Sequence, residues 1–299
     1  MAPVSSNKPA PSSSAPIYAG AESTLVGLIG RGIALSQSPL MHEREGLRLG
    51  LNYVYKRLDF DVLGLSNAAL GDILTTCEQV GFSGVNVTHP FKQAAIAYLD
   101  DLSPEARNIG AVNTVVFKDG TRTGHNTDCW GFAESVRQGL SRASLDTVVL
   151  VGAGGAGRAV LQALVDLGAK SIRVYDENPD NAAGVVGALT ALPASTECVA
   201  ITDLPAAIAS ANGVINATPV GMAKYPGVAI PIDCLTSRHW VADIVYFPEQ
   251  TQLITAAKAK GCRVLTGGGM AVYQAVRAFE LFSGIRPDAE SMARVRQTA

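Results

Sequence analysis

Residues 147–157, TVVLVGAGGAG, constrain this chain more than any other stretch. The apolar run Val148-Val149-Leu150-Val151 is what a strand buried on both faces requires. Gly152, Gly154 and Gly157 follow in G-x-G-x-x-G spacing. Val160, Ala163, Leu164 and Leu167 then recur at helical spacing up to Gly168, where a helix should stop. Strand, glycine turn and helix in that order are the context in which this motif binds a dinucleotide. The first glycine allows the tight turn, the second lets backbone approach a pyrophosphate, and the third lets helix and strand pack closely. Ala153, Gly155 and Ala156 complete the cofactor-binding turn. Unpaired N–H groups at the helix start offer positive partial charge to the phosphates.

The next segment selects the cofactor. Ser171 to Asp176, SIRVYD, reads as a second strand ending in an acid 19 residues after Gly157, where a carboxylate accepts hydrogen bonds from the adenine ribose. Glu177 and Asp180 add negative charge, and no Lys or Arg occurs between Arg173 and Lys224. A 2′-phosphate there would meet repulsion and find no guanidinium. NAD rather than NADP is the expected cofactor.

Length and composition bound the rest. The 299 residues suffice for one large or two ordinary domains, and 47% apolar with 17% charged residues is a globular composition. A net charge of −2 without a basic run gives no reason to expect nucleic acid, and no apolar stretch reaches membrane-spanning length. The five cysteines are odd in number, scattered and free of C-x-x-C spacing, which reads as reduced thiols in a cytoplasmic protein. The four histidines are equally dispersed, so no metal site is expected. Residues 1–22, rich in Pro, Ser and Ala, lack the apolar core of a secretion signal and read as a flexible tail.

From Leu25 the chain alternates strand and helix. The expected elements are a strand LVGLIG, a helix from about Pro39 capped by Ser38, and a strand over 52–58. A helix over 62–78, a strand GFSGVNV and a further helix after Lys92 follow. Residues 111–117 and 121–124 should form a hairpin across Asp119-Gly120, and 127–140 a helix. After Asp176 the expectation is helices over 179–192, 204–210 and 249–260, alternating with strands over 197–199, 213–216, 240–245 and 263–265. A helix over 270–282 and a short one after Pro287 end the series. Such alternation implies a parallel sheet covered on both faces.

Polar residues gather in the loops of the first half: Ser36, Ser38, Asn86, Thr88, Lys92, Asn113 and Asn126-Thr127-Asp128. Together with GLIGRGIALSQSPLMHE, GVNVTHPFK, GAVNTVV, GHNTDCWGF, GAGGAGRA, NATPVGM and GGGMAVYQAVRAF, in that order, they make the chain resemble the shikimate dehydrogenase family, most closely its quinate/shikimate branch. The resemblance covers roughly residues 25–284. It implies two α/β domains flanking a cleft: a substrate domain of 23–128 plus 266–299, and a Rossmann-type NAD-binding domain of 129–265. It implies that Lys92 and Asp128 are catalytic, and that Ser36 and Ser38, with Tyr246, hold a substrate carboxylate. Asn86, Thr88, Asn113, Asp128 and Gln274 would grip ring hydroxyls, and Ile244 and Gly267 would add to the cofactor site. A ring with several hydroxyls needs such partners, because leaving them unmatched is expensive.

The implied reaction is oxidation of shikimate to 3-dehydroshikimate, of quinate to 3-dehydroquinate, or of both, by reversible hydride transfer to NAD in the catabolic direction. His89 is seen in the quinate-using branch, whereas Ser38 is usual in shikimate enzymes; one methyl group shifts binding by only about 1–3 kcal/mol. An NADP-dependent biosynthetic shikimate dehydrogenase, a dehydrogenase for an amino-substituted analogue and a non-catalytic metabolite sensor on the same fold remain as alternatives. The outer helix faces carry no interface pattern, which leaves a homodimer open.

Overall fold

The first sheet is laid down by β1 (Thr24–Gly30), α1 (Ser38–Arg48), β2 (Tyr53–Asp59), α2 (Leu70–Gln79), β3 (Gly84–Val87), β4 (Asp101–Leu102), α3 (Pro104–Ile109), β5 (Thr114–Lys118) and β6 (Thr121–His125). Its strand order is β2-β1-β3-β5-β6-β4, parallel through β2, β1 and β3 and antiparallel at β3–β5 and β5–β6. The computed structural model describes residues 23–189 and 192–297, so the expected tail at 1–22 lies outside the described residues. Asp119 and Gly120 turn the β5–β6 hairpin at φ 51° and 73°, the left-handed pair that a two-residue hairpin turn needs.

The second sheet comes from α4 (Thr127–Gly139), β7 (Thr147–Val151), α5 (Gly155–Asp166), β8 (Ser171–Tyr175), α6 (Pro179–Gly187), β9 (Glu197–Ala200), α7 (Leu204–Ala209), β10 (Gly213–Asn216), β11 (Trp240–Asp243), α8 (Gln252–Ala259) and β12 (Arg263–Leu265). Every pair is parallel and the order is β9-β8-β7-β10-β11-β12, the doubly wound arrangement of dinucleotide-binding folds. Phe132 and Val136 of α4 join Leu161 and Leu164 of α5 on one face, while Ile208 of α7 and Leu253 of α8 cover the other. The chain ends with α9 (Gly267–Ser283) and α10 (Ala289–Gln297). No helix among the described residues is long and apolar enough to cross a membrane.

Several local expectations change, and α6 ends at Gly187 rather than running to residue 192. Gln37, not Ser38, stands at the α1 N-cap and makes no side-chain cap bond. The helix expected from residue 62 starts only at Leu70, after a 3₁₀ turn over Asn67–Ala69. Its first part is drawn into a loop, because Asp59 accepts from the Asp61 amide and Arg31 donates to the Leu65 carbonyl. Lys92 is followed by a 3₁₀ turn over Ala94–Tyr98 rather than an α-helix, and α9 begins within the glycine run at Gly267.

The two sheets are joined by α4 and α9, which run side by side. α4 leaves β6 and enters the second core, whereas α9 starts there at Met270 and packs Ala278, Phe279 and Phe282 onto the first sheet. At Gly131 a Cβ would lie 2.7 Å from the Gln274 amide nitrogen and 2.9 Å from the Met270 carbonyl oxygen. The helices therefore approach backbone to backbone at this glycine, with no side chain between them.

Between α1, the first sheet and α9 lies His42, fully buried among Tyr53, Tyr55, Phe279 and Phe282. Its Nδ1 is 2.9 Å from the Tyr53 hydroxyl and its Nε2 has no partner. Burial pulls its pKa from 6.5 down to about 3, so the folded ring stays neutral while the unfolded one protonates. Within that window the unfolded chain binds the extra proton, and stability present above pH 6.5 is lost as pH falls toward 3, by ~1.4 kcal/mol per pH unit at most. Denaturant unfolding of wild type and His42→Asn between pH 7 and roughly pH 4 should show a shallower loss of stability in the variant, by up to ~1.4 kcal/mol per pH unit. An equal slope in both would assign the acid sensitivity elsewhere.

Candidate active site

Lys92 lies in the loop after β3, where it meets the loop leading into β5 and the loop after β6. Phe91 is buried and packs against Phe60 with ring centroids 4.5 Å apart, which fixes the residue beside it. The Lys92 carbonyl accepts from the Val112 amide at 2.8 Å. At the start of α4 the cap residue Asn126 accepts from the Cys129 amide and donates to the Ala111 carbonyl. Asp128 thereby sits in the first turn of α4, facing the lysine. Lys92 Nζ donates to Asp128 Oδ2 at 2.5 Å, with side chains 26% and 12% exposed, so the pair is shielded yet reachable.

Asn86 and Asn113 form the frame behind this pair. Asn86, at the end of β3, accepts from the Tyr55 hydroxyl and donates to the Asn113 carbonyl and the Thr114 hydroxyl. The Asn113 side-chain Oδ1 accepts from the Thr127 amide at 2.7 Å, and its Nδ2 donates to the Thr127 hydroxyl at 3.0 Å. Each amide keeps one hydrogen-bonding position unfilled, an oxygen lone pair on Asn86 and an N–H on Asn113. Both are buried, so their first effect is to tie β3 and β5 to α4.

Ser36 and Ser38 are half-buried, and the Ser38 amide donates to Ser36 Oγ at 3.4 Å. Thr88 is half-buried in the β3 loop, while His89 is exposed and its carbonyl accepts from the Arg31 amide. Gln274 lies on α9 at the Gly131 contact and donates to the Ala271 carbonyl. Tyr246 is half-exposed in the loop after β11.

At the second sheet the strand order reverses between β7 and β10, the switch point at which doubly wound folds bind ligands. Gly152 (φ 104°) turns there, and a Cβ on it would lie 2.9 Å from the Ala217 carbonyl carbon. A Cβ on Gly157 would run into the Gly152 carbonyl, so the third glycine is required by α5 packing against β7. Gly154 and Gly155 differ: nothing lies within 4 Å of where a Cβ would project, and neither has positive φ. Side chains are absent from open space beside the first turn of α5, where no side chain caps the helix. Gly155, Ala156 and this turn thus leave room and N–H donors for a phosphate group, while the Ala153 amide donates to Asp176.

Asp176 follows β8. Its Oδ2 accepts from the Ala153 amide at 2.8 Å, and its Oδ1 accepts from the Asn178 amide and the Asn181 side chain. Burial alone would raise its pKa, but these three hydrogen bonds outweigh it and hold the carboxyl below its ordinary value. Ile244 and Gly267 are also brought together: a Cβ on Gly267 would lie 2.6 Å from the Ile244 carbonyl carbon.

Sequence reading missed the acids that hold these loops. Asp59, ending β2, accepts from the amides of Gly32 and Ile33 and so anchors the loop that carries Ser36. Asp243, ending β11, accepts from the Val245 amide, the Asn216 side chain and the Thr251 hydroxyl. Burial raises the Asp243 pKa against these bonds. Their one sequence signal was position, an acid closing a strand ahead of a polar loop.

What this fold and site define is an α/β oxidoreductase built around a nicotinamide dinucleotide. Residues 28–115 match the shikimate dehydrogenase substrate binding domain, and residues 267–295 the shikimate 5′-dehydrogenase C-terminal domain. The chain belongs to the shikimate dehydrogenase family: it is 50% identical over 273 residues to a shikimate dehydrogenase (NADP(+)) of Pseudarthrobacter chlorophenolicus, covering 91% of this chain and 93% of that one. It is 46% identical over 275 residues to a quinate/shikimate dehydrogenase (NAD(+)) of Corynebacterium efficiens, covering 91% and 96%. The structure of quinate dehydrogenase from Corynebacterium glutamicum in complex with NAD superposes with a TM-score of 0.86 at 44% identity, covering 93% of this chain and 99% of that one.

The glycine geometry makes a paired prediction. Gly157→Ala should lower stability by about 1–3 kcal/mol or more through the forced clash, whereas Gly154→Ala should cost less than ~1 kcal/mol. Calorimetric Tm values of the two variants check this, and equal losses would contradict the assignment of Gly154 to an open position.

Proposed function

We propose that the chain is an NAD-dependent quinate/shikimate dehydrogenase, reversibly oxidising a ring hydroxyl of shikimate to give 3-dehydroshikimate, or of quinate to give 3-dehydroquinate. The observation that carries the reaction is the Lys92–Asp128 pair at 2.5 Å, shielded and framed by Asn86 and Asn113. An alcohol oxidation needs a hydride acceptor and a proton acceptor held on one carbon. The nicotinamide supplies the first. The Lys92–Asp128 pair supplies the second, binding the hydroxyl and drawing off its proton as the carbonyl forms. Ser36, Ser38 and Tyr246 hold the carboxylate, a neutral donor set that avoids burying a second charge. Asn86, Thr88, Asn113 and Gln274 orient the remaining hydroxyls. Residues 23–128 with 266–299 act as the substrate-holding unit and 129–265 as the coenzyme-holding unit; the return of α9 to the first sheet supports that division.

Relatives carry both coenzyme names, so the choice of NAD rests on this chain's own residues. Gly152 to Gly157 take the pyrophosphate, Ile244 and Gly267 flank the nicotinamide end, and Asp176 takes the adenine ribose. The three hydrogen bonds that Asp176 accepts leave one of its four lone-pair positions for a ribose hydroxyl. The same bonds keep it ionised, which repels a 2′-phosphate.

Two variants test the reading together. Lys92→Met should lower kcat by roughly 10²–10⁴-fold while leaving coenzyme affinity intact. Asp176→Ala should shift the NAD-to-NADP ratio of kcat/KM toward NADP by about tenfold or more. Full activity without Lys92, or an unchanged coenzyme ratio without Asp176, would refute the corresponding half.

A further inference from the structure

Arg296, on the last helix, reaches the loop after β11. Its Nη2 donates to the Tyr246 carbonyl at 2.9 Å and its Nη1 lies 3.6 Å from Glu249 Oε2, with its side chain 12% exposed. The guanidinium carbon lies 3.1 Å from where a Cβ on Gly268 would project, so Arg296 rests on the first turn of α9. Glu249 Oε1 in turn accepts from the hydroxyl of Thr266, the α9 N-cap. One guanidinium thus pins the loop of residues 244–249 and the start of α9 to each other.

The start of α10 is fixed to α1 and to the middle of α9. Met292 is fully buried with Met41 of α1 and Val272 and Val276 of α9. The Asp288 amide donates to Glu45 Oε1 at 2.7 Å, and Glu45 also accepts from Arg48, so α10 is locked to the helix that begins at Ser38. Ser38 and Tyr246 come from different sheets' loops, and α10 is the strut between them.

We propose that Arg296 is a positioning residue that sets the distance between the Tyr246 loop and the Ser36–Ser38 loop, and through it the grip on the substrate carboxylate. This rests on the reading above that Ser36, Ser38 and Tyr246 hold that carboxylate. A planar guanidinium can serve the carbonyl and the Glu249 carboxylate at once, whereas an ammonium is a point charge without that fork. Without Arg296 the loop must be ordered each time substrate binds, a cost that appears in KM for the hydroxy acid. The adenine end of the coenzyme, which meets Asp176 and the glycine turn, is untouched.

The test is Arg296→Ala and Arg296→Lys in the full chain, read by hydrogen–deuterium exchange of residues 244–251, by KM for the hydroxy acid, and by affinity for ADP-ribose. Arg296→Ala should speed loop exchange and raise the acid KM roughly tenfold, with kcat and ADP-ribose affinity within about twofold and Arg296→Lys in between. Wild-type loop protection and an acid KM within twofold in either folded variant would overturn the proposal. A parallel loss of ADP-ribose affinity would overturn it too, since the effect would then be global. If the wild type turns over neither acid, the functional reading fails while loop exchange still decides whether Arg296 orders the loop.

Discussion

The backbone contact between α4 and α9 at Gly131 is the constraint on which the arrangement depends. Both helices cross from one sheet to the other, and a Cβ at Gly131 would sit 2.7 Å from the Gln274 amide nitrogen. Asp128 lies one turn before the contact, on the end of α4 that belongs to the first sheet's loops. Gln274 lies at the contact, and Gly267 starts the same helix against the Ile244 carbonyl. A single glycine therefore relates the lysine–carboxylate pair to the start of α9 and the loop after β11. Close-packed interiors resist even one added methyl group, so this relation is rigid where the helices meet.

Both sheets then use the same device to aim their loops. An acid ends a strand and collects loop amides: Asp59 takes those of Gly32 and Ile33, and Asp243 takes that of Val245. Their ionisation differs for a physical reason. Burial opposes the charge at both, but four backbone amides outweigh it at Asp59, whose pKa falls. At Asp243 burial prevails over three hydrogen bonds and the pKa rises. Buried polar networks of this kind specify one geometry when every member is satisfied. Asn86, Asn113, Thr114 and Thr127 show the same economy of partners behind Lys92.

Much of this was legible from residue order. The apolar run into Gly152 and the acid at 176 report local requirements, of a buried strand, a crowded turn and a strand end, and each stands where the spacing put it. The Asp-Gly hairpin is equally local. What sequence could not show depends on partners far along the chain. The start of α2 is delayed because Arg31 takes the Leu65 carbonyl, 34 residues away. Asn86 was legible as a polar residue at a strand end, but its bonds to Tyr55 and Thr114 belong to the folded sheet. Arg296 carries no motif at all; its contact with Tyr246 spans 50 residues and exists only after α10 docks on α1.

The most direct test of the central claim is steady-state kinetics of the purified protein with shikimate and quinate, each against NAD and NADP. An NAD-dependent quinate/shikimate dehydrogenase requires kcat/KM with NAD to exceed that with NADP for whichever acid is turned over, by the tenfold or more that about 1.4 kcal/mol at Asp176 supplies. A preference for NADP with shikimate would contradict the coenzyme assignment and make the chain a biosynthetic-type shikimate dehydrogenase. Absence of turnover in all four combinations would contradict the catalytic role given to Lys92 and Asp128.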